Sequence, residues 1–355
     1  MSTKVTISDI ARELNTTAAT VSRALNNHPK ISEDTKRQVR EVAERLNYKR
    51  NRIATSLRSG RSHVIGVIIP SAEINFFGSV VHGIESMANL HGYNVLIYQT
   101  NESWEHEVKG VETFLSAHVD GIVASIAKDT HQYSHFTDIK KRGIPLVLFD
   151  RANDDLNIPS VVINDYKGAY MATEHLIQQG YRRIAHISGP QHLKIFNDRL
   201  KGYLGALQSY NIKVEQDLIY PGNVSIQSGK KAVEHFLQME NPPDAFFSVE
   251  DFTALGVVKE LKDRGREIPG EFGVIGFANE LFGEHITPAL STIDQQTVLM
   301  GREAFKLLRD LIDETDASTA SKQKVILEPI LIQRQSSSKR LAIHNMPAEA
   351  DYLIQ

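Results

Sequence analysis

The residues Thr17, Ala18, Ala19, Thr20, Ser22, Arg23 and Asn26 fall within one stretch, TAATVSRALN. Their chemistry suits the reading of a nucleic acid. Thr and Ala methyls can meet thymine methyls. Thr20 or Ser22 can hydrogen-bond a base edge or a phosphate, and Arg23 can neutralise phosphate or read guanine. Small side chains also let a backbone approach a groove floor. Ala18 and Ala19 are explained equally well as good helix formers, so those two residues alone do not decide the matter.

Three short helix patterns can position this stretch. In TISDIARELN, Thr6 is placed as the N-cap and Asp9 at the third helical position, with Ile7, Ile10, Ala11 and Leu14 at helical spacing. Asn15 then tolerates the left-handed backbone of a tight turn. Thr17 can cap the second helix, where Val21 and Leu25 form an apolar i, i+4 pair. Ser32 can cap a third, SEDTKRQVREVAERLN, with Val39, Val42, Ala43 and Leu46 facing inward. A helix, a short turn and a second short helix make a helix-turn-helix. Charge points the same way. Residues 1–60 carry twelve Lys/Arg against six Asp/Glu, whereas the remaining 295 carry 28 against 37. A basic head on an acidic body suggests a nucleic-acid partner.

Composition excludes other chemistry. The 355 residues include no cysteine, which removes disulfides, thiolate catalysis and Cys-based zinc sites and agrees with a reducing cytoplasm. MSTKVTISDIARELN has no long apolar run, so no signal peptide is expected. The strongest apolar stretch, VIGVIIP, is far too short to cross a membrane.

From His63 onward the pattern becomes α/β. VIGVIIP, NVLIYQT, DGIVASI and IPLVLFD are short β-rich runs separated by amphipathic stretches, which argues for a parallel sheet flanked by helices. The rhythm restarts after Asn164, suggesting two lobes with a cleft between them. No GxGxxG after a strand, GxSxG or HExxH occurs. GNVSIQSGKK lacks the glycine spacing of a P-loop. His131 and His135 have i, i+4 spacing, but no further metal ligands are identifiable and a solvated pair is expected. Asp154 and Asp155 read as turn chemistry. No catalytic residue, metal or cofactor is expected, and the chain is expected not to be an enzyme.

The segments VTISDIARELNTTAATVSRALN, ISEDTKRQVREVAERLNY and NRIATSLRSGRSHVIGVIIP, in register, resemble the lactose/galactose repressor (LacI/GalR) family of bacterial transcriptional regulators. The resemblance continues to about Ser337. It implies an all-α helix-turn-helix DNA-binding head over residues 1–49, a hinge helix or linker over 50–62, and an effector-binding and dimerisation body over 63–337. That body would have the α/β, two-lobed type I periplasmic-binding-protein fold. Lobe one would span about 63–163 and 294–324, lobe two about 164–293 and 325–337, with 338–355 as a C-terminal tail. The tail shows no sustained heptad.

The resemblance also assigns Thr6 and Tyr48 to the DNA-binding set, and gives RNRIATSLRSGRS a role. Asn51, Ala54 and Leu57 fall near one helical face. Paired hinge helices could sit in the minor groove, with Leu57 as an apolar wedge and Arg52 on flanking phosphate. A plain basic linker with a stray Leu is the alternative. In the cleft, Phe76, Phe77, Asp150, Arg199 and Gln295 match effector-contacting positions. Asp150 and Arg199 can fork onto hydroxyls, phosphate or carboxylate, or can pair with neighbours instead.

Four positions of the cleft depart from the family pattern. The usual GFDD is GFAN, leaving Ala278 without a carboxylate and Asn279 as the polar residue. The usual Asn of an ND pair is Glu250, beside Asp251. An often aromatic position is Val224. These changes argue against a simple neutral hexose, and Asn101 or Trp104 is expected to help bind a carbohydrate derivative. The reading is thus a cytoplasmic, homodimeric repressor of a near-palindromic operator in double-stranded DNA, controlled by a sugar-related effector and without a membrane partner. A solute-binding receptor using the same body is the alternative, and a doubly wound enzyme ranks third.

Overall fold

The computed structural model describes residues 5–48, 60–313 and 323–339. The hinge residues Asn51, Arg52, Ala54 and Leu57 and the tail beyond Lys339 lie outside them. The chain divides into two compact units, Met1–Ser62 and His63–Gln355.

The head consists of α1 (Ile7–Glu13), α2 (Ala18–Leu25) and α3 (Glu33–Arg45). Each starts where a side chain satisfies free backbone groups. The Thr6 N–H and hydroxyl donate to the Asp9 carboxylate at 2.9 and 2.7 Å. Thr17 Oγ1 accepts the Thr20 N–H at 3.1 Å, and Ser32 Oγ the Thr35 N–H at 3.2 Å. Asn15 turns the chain between α1 and α2 at φ 49°. Ile10, Val21, Ala24, Val39 and Val42 form the small core.

In the body, β1 (Val64–Ile69), β2 (Asn94–Gln99), β3 (Gly121–Ala124), β4 (Leu146–Phe149), β5 (Ser160–Ile163) and β11 (Lys324–Leu327) form a parallel sheet in the order β11-β5-β4-β3-β1-β2. Helices α4 (Asn75–Leu90) and α11 (Thr297–Asp313) cover one face; α5 (Trp104–Ser116) and α6 (Ser134–Lys141) cover the other. The two-residue period of a strand explains the division. Ile65, Val67 and Ile69 join the first layer, and Ile68 joins the second.

Lobe two repeats the plan with β6 (Ile184–Ser188), β7 (Ile219–Pro221), β8 (Ala245–Ser248) and β9 (Gly273–Ile275), in the order β7-β6-β8-β9. Helices α7 (Asp165–Gln178) and α8 (Lys194–Ser209) cover one face. Helices α9 (Ile226–Phe236) and α10 (Asp251–Asp263) cover the other. A ribbon of β10 (Thr292–Asp294) and β12 (Ile330–Ile332) completes the lobe. The chain crosses between lobes after β5, β10 and β11. The last crossing differs from the expected boundary before Val325. Val325, Ile326 and Leu327 pair with Val161, Val162 and Ile163 in the six-stranded sheet, so the crossing falls at Glu328–Pro329. The apolar run VILEPILI gives no sign of this, because the break is made by the Glu-Pro step alone.

Helix pairs cross at glycines. A Cβ on Gly83 would lie 2.3 Å from the Val298 carbonyl oxygen, and one on Gly301 would lie 2.1 Å from that of Val80. Gly229 and Gly256 make the same close approach between α9 and α10. Backbone on backbone cannot yield as a flexible side chain can. Gly301→Ala is therefore expected to cost about 1–3 kcal/mol through overpacking. Gly78→Ala, on the same α4 but with open space around it, should be neutral or slightly stabilising. Urea unfolding midpoints of the two variants check this contrast.

Candidate functional site

In the head, the outer face of α2 is built from the residues of TAATVSRALN. Val21 and Ala24 turn into the core, so Thr17, Ala18, Ala19, Arg23 and Asn26 are exposed and Thr20 and Ser22 half-exposed. The Arg23 side chain forms no hydrogen bond or ion pair among the described residues, leaving its guanidinium for an outside partner. Thr17 and Thr20 hydroxyls bond each other at 3.0 Å, and Asn26 Nδ2 donates to the Ser22 carbonyl at 2.7 Å. Thr6 is exposed but occupied with Asp9. Tyr48 is half-buried against the head core.

In the body, a second site forms where the carboxyl ends of both sheets meet. Each sheet reverses its strand order there, β1 between β2 and β3, and β6 between β7 and β8. Ligands of open α/β sheets bind at such ends. Lobe one contributes Phe76, Phe77, Asp150 and Arg151 to a recess of about 60 Å³; lobe two contributes Phe196, Arg199, Val224, Glu250, Ala278 and Glu280, and Gln295 enters from the second crossing. Two further recesses adjoin it, of about 150 Å³ beside Asp150 and about 300 Å³ beside Arg151. Asp150, Val224 and Ala278 all have positive φ, at 57°, 62° and 126°. For the β-branched Val224 this backbone is strained, and strain of this kind gathers at functional sites.

Asp150, Arg151, Arg199, Glu280 and Gln295 are buried here, and Glu102 and Glu250 are half-buried. Arg199 Nε donates to Asp165 at 2.8 Å, Nη1 to the Val249 carbonyl at 2.6 Å and Nη2 to Gln295 Oε1 at 3.3 Å. Its guanidinium lies 3.7 Å from the Phe277 ring centre. Arg151 donates to both oxygens of Glu102, at 2.6 and 3.1 Å. Burial would raise the Glu102 carboxyl, but the charge and hydrogen bonds of Arg151 hold it below its usual range. Glu250 caps α10, accepting the Phe252 N–H at 2.7 Å and the Thr253 N–H at 2.5 Å. Glu280 reaches across the lobes to accept the Phe76 N–H at 3.1 Å. Burial pushes up the carboxyls of Asp150, Glu250 and Glu280.

A family model described as "Bacterial regulatory proteins, lacI family" matches residues 6–51, and one described as "Periplasmic binding protein-like domain" matches residues 173–337. Catabolite control protein A of Priestia megaterium is 32% identical over 336 residues, covering 94% of this chain and 99% of that protein. The chain belongs to the lacI family. Among solved family structures, a complex of the transcriptional regulator CelR with cellobiose is 26% identical at a TM-score of 0.69, covering 94% of this chain and 99% of that one. The lac repressor dimer bound to operator and an anti-inducer shares the fold at a TM-score of 0.83 and 24% identity, covering 94% of this chain and 99% of that one. This lacI-family chain is accordingly a DNA-binding transcriptional regulator with a periplasmic-binding-protein-like body.

The cleft gathers most of the residues expected in it: Phe76, Phe77, Asp150, Arg199, Glu250 and Gln295 line one recess. Asn279 sits just behind it, with Nδ2 on Asp294 at 2.9 Å and Oδ1 accepting from Arg334 at 2.9 Å. Asn101 and Trp104 do not line it. Asn101 is exposed beside Gln99, while Trp104 donates its indole N–H to the Gln132 carbonyl at 3.0 Å. The loop after β2 reaches the cleft through Glu102 instead.

His131 and His135 are not a solvated pair. His135 is buried with Nε2 2.8 Å from Glu107, and His131 packs at 4.1 Å on His192. Among the described residues no group of three His, Cys, Asp or Glu could hold a metal. Asp154 and Asp155 form a short 3-10 turn capped by Asn153, the turn chemistry their sequence suggests. Arg151 and Glu280 were not anticipated. Their only sequence signal is adjacency, one residue after Asp150 and one after Asn279.

Beside the recess, Asp251 accepts from Glu280 N–H at 2.8 Å and Thr292 Oγ1 at 2.7 Å, without a cation. Burial raises its carboxyl from 3.8 to about 7, against the pull of those hydrogen bonds. A carboxyl whose folded pKa is raised contributes stability that is full below its unfolded value and lost as pH rises through the folded one. The stability difference between the unchanged chain and Asp251→Asn should therefore shift against the unchanged chain between about pH 4 and 7, by on the order of a few kcal/mol. Urea unfolding of both proteins across that range tests this; parallel curves would contradict it.

Proposed function

We propose that this regulator is a homodimeric repressor that binds a near-palindromic operator, and that a carbohydrate-related effector in the interlobe cleft sets its operator affinity. The observation that carries this reading is the convergence of Asp150, Arg199, Glu250 and Gln295 on one recess, in a chain whose head presents a free Arg23 on a recognition helix. Carboxylate, guanidinium and amide groups at strand ends suit multiple hydroxyls. The CelR complex with cellobiose supports a sugar-related ligand for this architecture.

Two heads would address half-sites roughly 34 Å apart or a multiple of that distance. Closing or rotating the lobes would alter the spacing of the heads, so effector and operator change each other's affinity by the same factor. The site of action is the cytoplasm. No helix among the described residues is long and apolar enough to cross a membrane, and catalysis forms no part of this reading.

An operator selected from random DNA should be retarded in a gel by the full chain and not by a chain lacking residues 1–62. Its affinity should fall log-linearly with salt as Lys and Arg release counterions. Retained binding by the truncated chain would contradict the assignment. Leu57→Ala tests the hinge separately. Losing an apolar wedge should weaken specific binding roughly tenfold or more and reduce DNA bending, while effector affinity stays unchanged. Circular-permutation gel mobility reads the bend, and an unaltered bend would reject the wedge.

A further inference from the structure

The charge balance of the cleft is one-sided. Each cation lining the three recesses is already matched by an acid of the protein. Arg151 is held by Glu102, Arg199 by Asp165, Lys201 by Asp198 at 3.6 Å and Lys324 by Asp154 at 2.5 Å. Lys194 bonds Asp198. Among the described residues, two acids of the central recess, Glu250 and Glu280, form no ion pair, and a third, Asp150, has only a loose one with Arg151, which Glu102 already engages.

Asp150 is the sharpest case. It is 5% exposed, and its carboxylate accepts no hydrogen bond among the described residues. Its nearest cation is Arg151 Nε at 3.8 Å, beyond hydrogen-bonding reach, and that Nε is itself buried without a partner. Glu250 and Glu280 bind only backbone N–H groups and one hydroxyl, Thr253 Oγ1, which satisfies some lone pairs but supplies no positive charge. A buried carboxylate without a counter-ion is costly, and a ligand that brings the missing charge recovers that cost on binding. Burial pushes all three carboxyls upward, against the pull of Arg151 and Arg199 on Asp150 and of the hydrogen bonds that Glu250 and Glu280 accept.

We infer that the effector is a carbohydrate carrying a protonated amine, which the Asp150, Glu250 and Glu280 carboxylates receive while its hydroxyls meet Gln295 and Arg199. This rests on the reading of the cleft as an effector site and adds the charge of the ligand. Glu250 is the deciding residue. An amide there could serve a neutral sugar, whereas a carboxylate beside two others selects a cation.

The test is calorimetry on the full chain near pH 7, with glucosamine, galactosamine and mannosamine against their parent hexoses and against glucuronate and galacturonate. At least one hexosamine should bind tenfold or more tightly than its parent hexose. Glu250→Gln, which keeps a cap acceptor, and Asp150→Asn should each erase most of that ratio. A hexose or uronate that binds as well as any hexosamine and changes operator retention would overturn the amine inference and leave the effector reading standing. Failure of the whole panel to bind would overturn both.

Discussion

Arg199 holds the cleft together. The residue is 2% exposed, so the hydration its guanidinium loses must be returned by its partners. Those partners come from three separate places. Asp165 opens α7 just after the first crossing between lobes, Val249 ends β8, and Gln295 lies on the second crossing. One planar fork thus fixes two of the three crossing strands against the edge of lobe two. A Lys could not do so, having one point charge where three directions are needed. The Phe277 face beneath the guanidinium adds a fourth restraint, because Phe277 itself follows β9.

With the crossings fixed, the strand ends determine what the cleft contains. The residues of the recess lie on segments that follow strand carboxyl ends, where the chain turns sharply toward its next element. Asp150, Val224 and Ala278 take positive φ for that purpose. Such backbones cost of order 1–3 kcal/mol each and persist only where the surroundings over-determine them. The surroundings here are two sheets with apolar layers on both faces. The same cores sustain the buried acids. A cleft that concentrates carboxylates and strain is therefore held in place by the sheets behind it rather than by its own contacts.

Much of this was legible in the sequence. The three head helices follow from cap residues and apolar spacing, both local signals. The alternating strands and helices of the body are equally local. The lobe crossings were not legible from periodicity, because they depend on which strands pair. The run VILEPILI reads as one apolar stretch but supplies β11 to one lobe and β12 to the other. The family resemblance points to Phe76, Phe77, Asp150, Arg199 and Gln295, and these line one recess because strand ends are fixed by topology. Asn101 and Trp104 were misplaced because a loop's direction is set by tertiary packing; Trp104 turned to the Gln132 carbonyl. Glu280 escaped notice because its partner, the Phe76 N–H, lies 204 residues away.

That long-range bond bears on how the cleft could act as a switch. Glu280 of lobe two satisfies an N–H at the start of α4 in lobe one, and His192 of lobe two lies 2.8 Å from the Lys128 carbonyl of lobe one. Leu193, Ile195, Phe196 and Val249 join an apolar cluster with Ile126 and Ala152 across the same gap. The protein thus supplies part of the closing energy itself. A ligand shifts an equilibrium only by the difference in its affinity for the two states. If closure is already favoured by these contacts, a modest differential affinity suffices to move the population, whereas a ligand that merely fits both states moves nothing. The carboxylates sharpen this requirement. Asp150 of one lobe and Glu250 and Glu280 of the other line the same recess, so any closure of the lobes would bring these acids nearer and add like-charge repulsion. The group best able to favour the closed state is one whose charge removes that repulsion, because its benefit is largest when the lobes are closest.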